Sequence, residues 1–212
     1  MNHNITIPQE DTPDTSIQSP NGRKLKNFIF PIAVSKAQKK IIFNVRTYDF
    51  HIVAIREEED TPQFFYTIGL YSQYRHPELL IMGLNVNVAY DILSRAHQFI
   101  KGGGSIAPWM TLNTLSSMTL RSVPIDPSNY SRFLGFGMWF YRSLGRSRQD
   151  TFPAIELVWP DIGSGAFPWE NGYDTGFFDA QELLCGDHAY RQALEGDAWS
   201  VHGISEPSQQ RV

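Results

Sequence analysis

Two apolar runs separated by a short polar centre form the clearest pattern in this sequence of 212 residues. They occupy residues 64–84, FFYTIGLYSQYRHPELLIMGL. The first run alternates in the manner of a strand, and the second is too short for a separate helix. The pattern therefore predicts two core strands joined by a loop that holds Arg75, His76 and Glu78.

A second alternating segment, residues 50–55, precedes this pair and predicts another strand. It ends at the acidic turn of residues 56–62, REEEDTP. The short connection predicts an antiparallel hairpin between residues 50–55 and residues 64–70.

Helical spacing appears in two places in the first half of the chain. Ser35 fits the N-cap of a short helix through Lys40, after which residues 41–45 either continue the helix or form a strand. The apolar positions of residues 89–100 follow one face of a longer helix, which Asn85 or Asn87 would cap. Three glycines at residues 102–104 would end it.

The second half of the chain predicts two further strands and one helix. Residues 118–124 read as a strand that contains Arg121, and Asp126 with the following proline predicts the start of a helix over residues 128–143. The nearly continuous apolar run of residues 152–159 predicts a central strand. Residues 181–184 would form a last packed segment, and residues 187–194 a short helix.

These elements predict a single α+β domain over residues 35–194, with a mainly antiparallel sheet of about five strands and two main packed helices. Residues 1–34 are rich in proline and polar side chains, a composition that predicts a disordered polar N-terminal tail. Residues 195–212 predict a polar C-terminal tail.

The charge is unevenly distributed along the chain. The net charge is -4, but residues 1–40 carry +3 and the remainder -7. An acidic body argues against a nucleic-acid partner, and no apolar run approaches the roughly 20 residues of a membrane span. The lack of such a run predicts no membrane partner. The single cysteine, Cys185, excludes an intrachain disulfide and predicts a cytoplasmic protein. A flexible polar start is also compatible with export as an effector, and the oligomeric state stays open.

His76 and Glu78 are the first candidates for catalytic chemistry. A histidine with a carboxylate two residues further on can act as a general base with an orienting partner. The alternative is structural: the histidine bonds a backbone group, and Glu78 caps a turn or pairs with an arginine. Asp161 is a third catalytic candidate, because it begins a loop, residues 161–174, that is rich in glycine and aromatic side chains.

Large aromatic side chains in a polar loop must either pack against the body or line a cleft. Arg121 and Arg142 could bind a phosphate or carboxylate, although pairing with Asp161 and Glu170 is favoured. Neither a metal site nor a cofactor motif is indicated, and a bound flavin would rest on fold analogy alone. The candidates for ligand binding are Tyr66, Thr67, Arg121, Arg142, Trp159, Trp169 and Glu170.

Six separated motifs form a pattern along the chain. They are YTIGL at 66–70, HPEL at 76–79, GL at 83–84, VWPD at 158–161, FPWENGY at 167–173 and QELL at 181–184. Their order and spacing resemble the bacterial family catalogued as domain of unknown function 4262, over about residues 44–185. This chain has Thr47 and Tyr48 where members usually have a histidine-glycine pair, and Glu182 where they have a proline. The resemblance supports the fold and the choice of residues without implying an activity.

Two functional hypotheses remain open. The first is a small-molecule-binding protein, which would be an enzyme if His76, Glu78 and Asp161 act on the bound molecule in a cleft between their two loops. The second is a protein-interaction module, such as a toxin-neutralising partner or a delivered effector, in which the motifs serve the architecture and the loop aromatics contact another protein.

Overall fold

The computed structural model describes residues 24–144 and 152–186. Its strands form one six-stranded sheet in the order β1-β2-β3-β6-β5-β4. The strands are β1 His51–Ile55, β2 Phe64–Ile68, β3 Glu78–Met82, β4 Thr111–Leu112, β5 Leu120–Pro124 and β6 Ala154–Val158. The helices are α1 Lys36–Tyr48, α2 Leu70–Tyr74, α3 Val86–Lys101, α4 Tyr130–Phe133 and α5 Gly135–Phe140.

The predicted α+β class is confirmed, and the sheet is mixed. Strands β1, β2 and β3 form an antiparallel meander, which includes the predicted hairpin. Strand β3 then pairs parallel with β6, and β5 and β4 continue antiparallel beyond it. The prediction that residues 152–159 provide a central strand is also confirmed, whereas the short strand β4 was not predicted.

Helices cover both faces of the sheet, and strand β3 shows why its sequence is apolar throughout. Leu79 and Ile81 pack in the core under α3, while Leu80 and Met82 pack with α1, α4 and α5 on the other face. All five residues of β3 are buried. A strand buried on both faces reads as a continuous apolar run because neither set of alternate side chains meets water.

The sequence predicted where the helices begin more accurately than how long they are. Ser35 caps α1 in a reciprocal capping box with Gln38, and the helix continues through residues 41–45 to Tyr48. The predicted helix over residues 128–143 is interrupted at Leu134, which has φ -117° and ψ 33°. Glycines on either side of Phe136 explain the interruption, because glycine has the lowest helix propensity of all residues except proline. The two long helices are therefore α1 and α3.

The segment before α1 lies against the body. The ring of Phe28 is 5.3 Å from that of Phe140, and Phe30 packs on the same core. Residues 24–34 therefore contribute aromatic side chains to the face of the sheet that α1 covers. The predictions for residues 1–23 and 187–212 concern parts of the chain outside the described residues.

Two glycines in the motifs are required by close backbone approaches. Gly69 has φ +121°, and a Cβ atom there would lie 2.6 Å from the carbonyl oxygen of Asp49. Gly83 has φ +71°, and a Cβ atom there would lie 2.0 Å from the carbonyl oxygen of Ala180. Only glycine meets both demands at these positions, so the glycines of YTIGL and GL serve the fold.

We expect Gly83→Ala to lower the free energy of unfolding by roughly 2 kcal/mol more than Gly103→Ala does. Both glycines have positive φ, but a Cβ atom at Gly103 would meet nothing within 4 Å. The comparison therefore separates the clash with Ala180 from the strain of a left-handed backbone. Urea denaturation of both variants checks the expectation. Equal losses of unfolding free energy would show that the backbone around Ala180 can shift at little cost.

Candidate ligand-binding cleft

Glu78 is the centre of a buried hydrogen-bond network at the start of β3. Its Oε2 accepts a hydrogen bond of 2.6 Å from the Thr67 hydroxyl. Its Oε1 accepts from the backbone N–H groups of Gly69 at 2.9 Å and Tyr71 at 3.0 Å, and from the Tyr141 hydroxyl. The side chain is fully buried, so the carboxyl group exchanges its hydration for these four donors.

This network holds together the segment between β2 and β3, which begins in the YTIGL motif and ends in the HPEL motif. The Tyr141 hydroxyl also accepts from the N–H groups of Gly69 at 3.1 Å and Ser72 at 3.3 Å. Thr67 accepts in turn from the backbone N–H of Leu79 at 2.9 Å. Burial raises the pKa of Glu78, and the donated hydrogen bonds oppose that rise. These contacts support the structural alternative for Glu78, and they place Thr67 inside the same network.

His76 is buried, and both of its ring nitrogens have partners. The backbone N–H of Ile106 donates to Nε2 at 2.8 Å, so Nε2 must be unprotonated. Nδ1 then carries the proton and lies 2.7 Å from the carbonyl oxygen of Pro77. The ring thus joins the turn before β3 to the segment after α3, which is the backbone contact that the structural alternative requires.

Glu170 and Arg121 form the ion pair that the sequence analysis favoured. Arg121 Nη1 lies 2.5 Å from Glu170 Oε1, and the backbone N–H of Phe167 donates to Glu170 Oε2 at 3.0 Å. The guanidinium group also lies over the rings of Phe167 and Trp169, 4.2 Å and 5.8 Å from their centroids. The loop aromatics therefore pack against the body around one arginine.

Asp161 stabilises its own loop. Its carboxylate accepts from the N–H of Gly163 at 2.8 Å and from the hydroxyl of Ser164 at 2.7 Å. The Ser164 hydrogen bond is the largest cause of the lowered pKa of this carboxyl group. Trp159 lies in the core with its indole N–H donating to the carbonyl oxygen of Met82 at 2.8 Å, whereas Arg142 is exposed.

The sheet topology places His76 and Asp161 at opposite ends of a pair of neighbouring strands. His76 precedes β3, Asp161 follows β6, and these two strands run parallel side by side. Five residues of strand separate the two ends by roughly 16 Å. The predicted catalytic residues are therefore not brought together, and the two motif loops do not form a shared cleft.

Tyr66, in contrast, lies at the floor of a cleft elsewhere on the molecule. This Tyr66 cleft has a volume of about 490 Å³ and opens between α1, the ends of β1 and β2, and the α4–α5 segment. Buried aromatic rings form its floor, and partly buried ones form its wall. The aromatic lining residues are Phe64, Tyr66, Phe133, Phe136 and Trp139.

The cleft combines this apolar interior with cationic groups at its rim. The Tyr66 hydroxyl accepts from the N–H of Phe136 at 3.2 Å, and burial raises its pKa. Arg132 is tied to Glu182 at 3.0 Å, while Arg56 is exposed and has no ion pair within the described residues. An aromatic floor with a guanidinium group at its edge can take up a flat apolar molecule that carries an anionic group.

The sequence was compared with models of known protein families. The model of the domain of unknown function DUF4262 matches residues 44–174. The chain belongs to this family. The match confirms the family suggested by the motifs, and the DUF4262 region includes most of the lining of the Tyr66 cleft. No curated protein and no solved structure matches the chain significantly.

Two other grooves of the DUF4262 protein have similar volumes but a different lining. One, of about 570 Å³, runs between α3 and residues 114–118, has no aromatic side chain among its described lining residues, and mixes polar and charged groups with Val88, Ile92 and Met118. The other, of about 560 Å³, is lined mainly by carboxylates of the acidic turn. Drug-sized and cofactor-sized molecules bind in clefts that are mainly apolar with a few polar groups, which favours the Tyr66 cleft.

Glu156 in β6 is a buried ionisable residue that the sequence pattern did not predict. Its Oε2 accepts from the backbone N–H of Leu184 at 2.9 Å, and its Oε1 has no hydrogen-bond partner among the described residues. Burial raises its pKa from 4.5 to about 8. The available signal was a single glutamate inside an otherwise apolar strand, AIELV.

Within residues 24–144 and 152–186, His, Cys, Asp and Glu side chains form no group of three or more able to hold a metal ion. In the same ranges, no helix combines the length and apolar character that crossing a membrane requires.

Proposed function

We propose that this DUF4262 protein is a cytoplasmic small-molecule-binding protein whose ligand occupies the Tyr66 cleft. The observation that carries the proposal is that the partly buried rings of Phe136 and Trp139 line the same cleft as the exposed guanidinium group of Arg56. These two rings offer a ligand apolar surface at small entropic cost, and Arg56, which forms no ion pair within the described residues, offers a charge-assisted hydrogen bond. The ligand is a molecule with a flat apolar body and one carboxylate, sulfonate or phosphate group.

A role in binding is better supported than a role in catalysis. Among the described residues, Glu58 supplies the only carboxylate lining the cleft, this side chain is exposed, and no histidine lines the cleft. The catalytic hypothesis for His76, Glu78 and Asp161 stays a prediction, and their hydrogen bonds support structural roles instead. The interaction hypothesis based on the loop aromatics has weaker support, because Phe167 is buried and Trp169 stacks on it at 5.4 Å.

The test uses anilinonaphthalene sulfonate, a fluorescent dye with a flat apolar body and one sulfonate. We expect one dye molecule to bind per chain, and Trp139→Ala to weaken binding roughly tenfold, which corresponds to about 1.4 kcal/mol. Arg56→Gln removes the guanidinium partner of the sulfonate and should weaken binding to a similar extent. Fluorescence titration measures both.

A cleft-filling variant provides the sharper comparison. Gly135 lines the Tyr66 cleft, and a Cβ atom there would meet nothing within 4 Å. A phenylalanine at this position should therefore occupy the ligand volume without disturbing the fold. Val86→Phe, at the exposed start of α3, is the matched control that adds the same ring outside the cleft. Equal dye affinities for Gly135→Phe and Val86→Phe, with both proteins folded, would rule out the proposal.

A further inference from the structure

One exposed face of the molecule carries cations and no anions. Residues 24–48 contain six lysines and arginines and no aspartate or glutamate, although the whole chain has a net charge of -4. Lys36, Lys39, Lys40 and Arg46 share the exposed side of α1, opposite the buried Ile41 and Val45. None of these four cations forms an ion pair within the described residues. We call this surface the basic α1 face.

Large apolar side chains are exposed on α1 and on the segment just before it. Phe43 lies between the cations on α1 with 60% of its surface exposed, and Ile32 and Val34 just before the helix are 76% and 83% exposed. Exposed apolar groups of this size among unpaired charges mark a surface that contacts a partner. The partner that fits must be acidic and must offer some apolar surface of its own.

The same chain carries such a surface. The acidic groove, of about 560 Å³, is lined by six carboxylates together with Pro62 and the partly exposed ring of Phe178. Only one of these carboxylates, Glu182, forms an ion pair within the described part of the chain. The six carboxylates are those of Glu57, Glu58, Glu59, Asp60, Asp179 and Glu182.

Helix α1 and the acidic turn both border the Tyr66 cleft. Gln38 in the first half of α1 lines this cleft together with Arg56 and Glu58 of the acidic turn. Strand β1, which leads into that turn, is the terminal strand of the sheet. Two patches of opposite charge on one chain make two copies complementary, because a two-fold axis can bring each patch onto the opposite patch of the second copy.

We propose that two copies of this chain associate through these patches, with the basic α1 face of each copy on the acidic groove of the other. Phe43 supplies the apolar anchor, and the lysines supply the charge. The proposal does not depend on the function proposed for the Tyr66 cleft. Since exposed charges carry the contact, the association weakens as salt screens them.

Sedimentation velocity of the full chain at low and high salt tests the proposal. At about 50 mM salt, where screening is weak, we expect twice the 24.2 kDa mass of one chain, with a shift toward the monomer as salt rises. The double variant Lys39→Glu/Lys40→Glu should be monomeric, and so should Glu58→Lys/Glu59→Lys. An equal mixture of the two variants should restore the dimer, because each then offers the charge that the other needs.

The mixture also controls for folding, since only folded variants can complement each other. A wild-type chain that stays monomeric at low salt would overturn the proposal, as would reversed variants that still dimerise or a mixture that does not. Co-sedimentation of a monomeric wild-type chain with phosphatidylglycerol-containing vesicles would also overturn it, and would assign the basic α1 face to an anionic membrane surface instead.

Discussion

Glu78→Ala is expected to lower the free energy of unfolding by roughly 4 kcal/mol, the largest loss among the substitutions considered. The carboxyl group accepts hydrogen bonds from Thr67, Gly69, Tyr71 and Tyr141, and all of these lie in the turn between β2 and β3 or against it. Removing it leaves several buried donors without an acceptor. Each such donor costs about 1–3 kcal/mol unless water enters to replace the lost partner.

Urea denaturation measures this loss, and Glu57→Ala is the matched control. Glu57 carries the same side chain but is exposed in the acidic turn, so its removal should change stability by less than about 0.5 kcal/mol. A Glu78→Ala protein as stable as Glu57→Ala would mean that the network does not hold the turn. The structural assignment of Glu78 would then fail, and the catalytic hypothesis would regain weight.

Glu156→Gln is expected to stabilise the protein at alkaline pH and to leave it almost unchanged at pH 5. The folded state raises the pKa of Glu156 from 4.5 to about 8, so the folded protein holds a proton that the unfolded chain has lost. Wild-type stability therefore falls as pH rises between these two values and levels off above the higher one. One pKa unit corresponds to about 1.4 kcal/mol, which gives a difference on the order of 5 kcal/mol at pH 9.

Glutamine suits this comparison because it reproduces the protonated side chain. Its amide oxygen can accept from the N–H of Leu184, as Glu156 Oε2 does, and its NH2 group takes the place of Oε1, which has no partner among the described residues. Denaturation at pH 5, 7 and 9 should show the stability advantage of the variant growing with pH. An advantage that stays constant across this range would show that Glu156 titrates normally and that water reaches it.

The sequence predicted the parts of the fold that depend on local pattern. Ser35 and Asp126 cap helices as expected because capping needs only a hydroxyl or carboxylate at the right place before the first turn. The β1–β2 hairpin followed from alternation and a short acidic turn. The parallel pairing of β3 with β6 had no local signal, because it joins segments that are about 70 residues apart in the chain.

The parallel pairing of β3 with β6 also determines where the predicted catalytic residues lie. His76 and Asp161 both lie in polar loops beside core strands, and the sequence gives no information on whether those loops share an end of the sheet. The parallel register places them at opposite ends. The sequence marks Tyr66 as a candidate because a strand tyrosine can present its hydroxyl to a ligand. The cleft above Tyr66 also depends on the break between α4 and α5 at Leu134, where the sequence pattern predicted one continuous helix.

Amide NMR shifts during a titration with anilinonaphthalene sulfonate test most directly whether a flat, anionic molecule binds in the Tyr66 cleft. We expect the saturable shifts to cluster in residues 55–66 and 132–139, which line that cleft. Shifts that cluster instead along residues 87–95 and 114–118, the groove of similar volume beside α3, would contradict this expectation.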